Sequence, residues 1–105
     1  MDRSYANEVP LDVRPLGIPL STTGRIESWL VAEGDQVQAD SVLARLTLGQ
    51  ASYELRLRYS GKVDLIQTGA GEPVHQGIAL LQIISDAPPP SLGVRLVPLA
   101  ADQLR

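Results

Sequence analysis

Few residues in this chain could carry out chemistry, and those few stand apart. Lys62, in "SGKVDL", is the single lysine, and His75, in "GEPVHQG", is the single histidine. A zinc centre takes three or four ligands, and no Cys, His or carboxylate cluster surrounds His75, so a turn histidine is expected there. Glu33, Asp35, Asp40 and Glu72 lie near turns without the spacing of a calcium loop, and read as solvated surface. Ser21, Ser41 and Ser60 have no nearby base to activate a hydroxyl. The absence of cysteine removes thiol nucleophiles, disulfides and thiolate metal sites. No glycine-rich loop opens a helix as a phosphate cradle would. The chain is therefore not expected to be an enzyme, and no metal or cofactor is expected.

The elements that position these residues are strands. Nine Gly and eight Pro in 105 residues punctuate the chain too often for long helices. In "ASYELRLRY" Tyr53, Leu55, Leu57 and Tyr59 alternate with Ser52, Glu54, Arg56 and Arg58, which predicts a strand with one buried and one wet face. A second apolar run ends just before it, at Leu48. Gly49 suits the first central position of a type II′ hairpin turn, with Gln50 second and Ala51 opening the next strand.

A duplication surrounds that hairpin. "TGRIESWLVAEGDQVQADSVLARL" (23–46) and "SGKVDLIQTGAGEPVHQGIALLQI" (60–83) align without gaps at an offset of 37. Gly24 meets Gly61, Gly34 meets Gly71, Val37 meets Val74 and Leu43 meets Leu80, with Arg25/Lys62, Glu27/Asp64 and Asp35/Glu72 keeping charge sign. Each copy reads as a strand, a glycine turn and a second strand, with Pro73 at a turn or strand start. Ala39, Val42, Leu43 and Leu46 also fit helical spacing with Asp40 as cap, but Gly77 falls at the matching position of the second copy and argues for strand. Trp29 is expected in the core; an exposed indole would instead suggest a contact surface.

Composition excludes further classes. The net charge is −3, and the nine basic residues are scattered along the chain, so nucleic-acid binding is not expected. No apolar run approaches the roughly 20 residues that span a bilayer, so no membrane insertion is expected. The start "MDRSYANEVP" is not a secretory signal, and a soluble, cytoplasmic protein is the expectation.

The stretches "WLVAEGDQVQADSVLARL" and "SGKVDLIQTGAGEPVHQGIALLQI" resemble the biotinyl/lipoyl carrier domain family. The resemblance implies an all-β fold, a flattened β-barrel or sandwich of two four-stranded antiparallel sheets with quasi-twofold symmetry (a barrel-sandwich hybrid). It covers residues 12–85, leaving 1–11 as an N-terminal extension and 86–105 as a Pro-rich linker and C-terminal segment. In that family the hairpin tip carries a lysine acylated with lipoate or biotin, in "D-K-A" or "M-K-M". Here "Gly49-Gln50-Ala51" takes that place. A carboxamide nitrogen shares its lone pair with its carbonyl and is no nucleophile, and Lys62 lies in the second repeat. Related barrels in bacterial efflux and secretion adaptors split the half-motifs with a helical hairpin, whereas 13 residues separate them here.

The resemblance therefore implies an unmodified, non-catalytic interaction or scaffold module. Its partner is expected to be another protein, a subunit of a multi-component enzyme or secretion assembly, with bacteria as the setting. The alternative is a degenerate carrier subunit of a biotin- or lipoate-dependent complex; modification at Lys62 is a third. Candidate contact residues are Gly49, Gln50 and Ala51 at the tip, Arg56 and Arg58 on the wet face, and Val94 and Leu96 in "VRLVPLA", which either folds back on the barrel or engages a partner.

Overall fold

The alternation in "ASYELRL" becomes a two-faced strand: Tyr53, Leu55 and Leu57 are buried, while Ser52, Glu54 and Arg56 are only partly so. This strand belongs to a computed structural model that describes residues 4–90 and 93–99. In chain order the strands are β1 (Tyr5–Pro10), β2 (Thr23–Trp29), β3 (Gln36–Val37), β4 (Val42–Leu48), β5 (Ala51–Leu57), β6 (Gly61–Ile66), β7 (Pro73–His75), β8 (Ala79–Ser85) and β9 (Val94–Pro98). A single 3-10 turn, Arg14–Leu16, interrupts the approach to β2. Every pairing is antiparallel. One sheet has the order β1-β8-β6-β3 and the other β7-β2-β4-β5-β9. No helix among the described residues is long and apolar enough to cross a membrane.

The duplication is visible bond by bond. Gly34 N–H donates to Val63 O and Gly71 N–H to Ile26 O, both at 2.7 Å, so each repeat's turn is held by the other repeat's strand. The β2–β4 register shifts between Ile26 and Ser28, and the β6–β8 register between Val63 and Leu65, placing Glu27 and Asp64 at equivalent bulges. Gly24 and Gly61 lie where a neighbouring strand leaves no room for a methyl. A Cβ on Gly61 would stand 2.7 Å from Ile84 O, and one on Gly24 would fall onto Thr47 O, the equivalent carbonyl. Asp40 has φ +70° and its mate Gly77 φ +87°, so the segment before β4 turns through the left-handed region and the helical alternative is excluded. Pro73 opens β7, where a missing N–H is tolerated.

Leu43, Leu46, Leu55, Leu57, Leu80, Leu81 and Ile83 are fully buried between the sheets. Each contributes about 1.5–3 kcal/mol by leaving water. Trp29 is half-buried at the rim of this core, its indole N–H bonded to Thr68 O at 2.8 Å.

The second sheet has five strands where four were expected, because Val94–Pro98 returns to pair with β5 from Leu57↔Val94 to Tyr53↔Pro98. Without it, β5 would present a row of unpaired backbone groups beside buried leucines. Arg58 N–H donates to Gly93 O at 2.9 Å and Leu99 N–H to Ser52 O at 3.0 Å. This phase directs the backbone groups of Arg95 and Val97 at β5 and those of Val94, Leu96 and Pro98 outward. Pro98, which has no N–H, stands on the outward side. At the other end of the chain, β1 pairs with β8 from Tyr5↔Ser85 to Pro10↔Ala79, inside the stretch 1–11 that was set apart as an extension.

Candidate functional site

The β4–β5 hairpin closes at Leu48↔Ala51, leaving Gly49 and Gln50 as the two-residue loop. Gly49 has φ +61°, and Gln50 is not among the residues with positive φ. One left-handed residue in the first central position is the mark of a type II′ turn, the twist that matches flanking strands. Gly49, Gln50 and Ala51 are all exposed.

Two segments brace this tip. Gly49 N–H donates to Thr23 O at 3.0 Å, and Thr22 Cγ2 lies 3.7 Å from where a Gly49 Cβ would be. Leu20, in the same approach loop, is 56% exposed. On the other flank β9 delivers Leu99 to Ser52, two residues from Gln50. The tip is thus a protruding amide between an aliphatic loop residue and the end of β9. Lys62 is elsewhere: it sits on β6 in the four-stranded sheet, opposite Gln36 and Ile84.

Arg56 and Arg58 lie on the outer face of the five-stranded sheet, and strand pairing gathers other arginines there. Ser28↔Arg45, Arg45↔Glu54 and Arg56↔Arg95 are opposite pairs, and opposite residues share a face. Arg25, opposite Thr47, points the same way. Five of the nine basic residues, scattered in sequence, therefore share one sheet face. Arg56 and Arg95, like charges directly opposed, are each drawn to a carboxylate: Arg56 to Glu54 at 2.8 Å and Arg95 to Asp40 at 2.9 Å. Arg25, Arg45 and Arg58 make no ion pair among the described residues. Sequence reasoning singled out Arg56 and Arg58 and missed Arg25, Arg45 and Arg95, which need the β2–β4–β5–β9 register to come together.

Val94 and Leu96 are half-buried against the core, opposite Leu57 and Leu55. The strand Val94–Pro98 thus folds back on the barrel, one of the two expected outcomes.

The acidic turn residues have structural partners. Glu33 accepts from Ile66 N–H at 2.8 Å, Asp35 from Ala32 N–H at 2.9 Å and Glu72 from Gly69 N–H at 2.6 Å. Asp12 is gripped by the Arg14 guanidinium at 2.9 and 2.8 Å, with Gln76 also donating to it. The Arg14 side-chain hydrogen bond is the main cause that holds the Asp12 carboxyl far below the usual carboxylate range, against a smaller upward push from burial. Burial pushes the Tyr59 phenol above its ordinary value. His75 is exposed, its Nδ1 3.1 Å from Gln76 O. Among the described residues, no group of three His, Asp or Glu side chains could hold a metal ion.

A family model described as "Biotin-requiring enzyme" matches residues 15–83. A curated relative, the mitochondrial lipoamide acyltransferase component of the branched-chain alpha-keto acid dehydrogenase complex of Arabidopsis thaliana, is 30% identical over 74 residues. That match takes in 65% of this chain and spans 15% of the relative's length. No solved structure matches.

Proposed function

Because the chain belongs to the biotinyl/lipoyl domain family, we propose that it keeps the family's barrel and works by contact, as a non-catalytic interaction or scaffold module that carries no group on an arm. The observation behind this is Gln50 at the exposed apex of the hairpin. Lipoate and biotin are joined in this family through a lysine amine, and the carboxamide of Gln50 has no free lone pair with which to take an acyl group. The residues at the tip do not fit the attached group. The partner is a protein subunit of a larger assembly. The tip, with Leu20 and Leu99 on its flanks, and the arginine face behind it are the surfaces offered.

Mass spectrometry of the intact protein after co-expression with biotin and lipoate ligases tests this. An unchanged mass is expected; an added biotinyl or lipoyl group overturns the reading.

A second reading is a degenerate carrier subunit that occupies a carrier's docking site in a biotin- or lipoate-dependent complex. It is favoured by the relative's membership of a dehydrogenase complex. Gln50→Lys separates the two: a ligase that loads the variant favours this second reading, and refusal favours the independent contact module.

A further inference from the structure

At the end of β5 far from the tip, the seam between the 3-10 turn and β9 holds a cavity of about 110 Å³. Leu11, Pro15, Leu16, Val94 and Leu96 supply its apolar wall, and Arg58 stands at its edge. Apolar cavities of roughly 150 Å³ admit a benzene ring, so this one is of a size for a single aliphatic side chain. Charges around it are settled except for one. Asp12 is held by Arg14 at 2.8 Å and Asp40 by Arg95 at 2.9 Å, and Arg58 pairs with neither. Arg58 lines both this cavity and the shallow depression bounded by Asp40 and Arg95, and forms no ion pair among the described residues.

A second space of about 310 Å³ adjoins the first through Asp12 and Val94 and runs beside β1, between it and Pro89–Pro90. Asn7 lines it, and the Asn7 Nδ2 is buried without a hydrogen-bond partner. A buried donor lacking an acceptor is unfavourable, and a ligand carbonyl in the space would satisfy it once the Asn7 side chain turns towards it.

We infer that this seam is a docking site for a partner's peptide segment that presents an aliphatic side chain beside a carboxylate: the side chain enters the Leu11–Leu16–Val94–Leu96 cavity, the carboxylate meets Arg58, and the peptide backbone continues past Asn7. An arginine fork suits this, since it takes a carboxylate through two parallel hydrogen bonds. The inference rests on the contact-module reading and names one partner chemistry for it, at a site separate from the tip.

The test is a titration of the ¹⁵N-labelled chain with N-acetyl-leucine, followed by amide chemical shifts, alongside N-acetyl-leucinamide, which keeps the side chain and lacks the carboxylate. Saturable shifts at Leu16, Arg58 and Leu96 are expected, with a dissociation constant on the order of 1–10 mM for so small a probe. The amide should bind about tenfold more weakly, and Arg58→Ala should weaken N-acetyl-leucine by a similar factor while Arg58→Lys recovers part of it. Arg58 is exposed, so these variants keep the fold. Absence of saturable shifts at the seam, equal binding of acid and amide, or indifference to Arg58→Ala each overturns the inference. The mass assay reports on the contact-module reading alone, so either can fail without the other.

Discussion

Replacing Gly24 and Gly61 one at a time by Ala makes an ordered prediction from the duplicated fold. A Gly61 methyl would stand 2.7 Å from Ile84 O and 2.5 Å from Ile83 Cγ2, whereas a Gly24 methyl would overlap Thr47 O deeply. Relieving the first needs a shift of several tenths of an ångström, shared between a movable side chain and the strand; overpacking of that kind costs about 1–3 kcal/mol. Alanine returns about 0.4–1 kcal/mol by narrowing the unfolded ensemble. Gly61→Ala should therefore lose about 1–2 kcal/mol. Gly24→Ala cannot be relieved by a side chain, because the obstacle is backbone. β2 must part from β4, and the loss should exceed about 3 kcal/mol, a large fraction of the roughly 5–15 kcal/mol that holds a small domain folded. Urea unfolding followed by Trp29 fluorescence reads both, the indole being half-buried and hydrogen-bonded to Thr68. Gly24→Ala within about 0.5 kcal/mol of wild type, or Gly61→Ala the more damaging of the two, would refute the close-approach argument.

Three further outcomes are expected. Trp29→Phe keeps an aromatic ring at the core's rim but leaves Thr68 O without its indole donor, and should cost about 1 kcal/mol by the same urea assay. Leu55→Ala, at a fully buried position, should cost about 2–5 kcal/mol, while Gln50→Ala at the exposed tip should stay within about 0.5 kcal/mol; the reverse order would contradict the hairpin's placement. Asp12 has its carboxyl depressed in the folded state, so its ionisation stabilises the fold above the unfolded value near pH 4, and that contribution fades as pH falls through the lower folded value. The stability gap between wild type and Asp12→Asn should accordingly be present at about pH 6 and shrink towards pH 2, and a gap that widens on acidification would reverse the sign argued here.

The barrel was legible because the repeat leaves marks that physics requires twice. Gly24 and Gly61 recur since both crossings are too tight for a methyl, and Asp35 and Glu72 recur since both turns need a carboxylate to accept a backbone N–H. The alternation in β5 gave its buried face directly, and Gly49 gave the turn type. Less was legible where partners are distant in sequence. The carboxylates of Glu33, Asp35 and Glu72 are exposed, as their positions near turns suggested, but the backbone N–H groups they accept from were not legible. The arginine face depends on a register running through four strands, and no spacing along the chain foretells that Arg45, Glu54 and Val97 stand in one row. The groove beside Arg58 needs the tail to come home to β5, which the apolar pattern of "VRLVPLA" permitted without deciding.

The direction in which β9 runs has a consequence for reach. Because it travels antiparallel to β5, its end at Leu99 lies next to Ser52, at the apex rather than at the end where β8 finishes. A docking partner approaching the apex must therefore accommodate Leu99 as well as Gln50, so a change at Leu99 alters who can visit without altering a single residue of the hairpin.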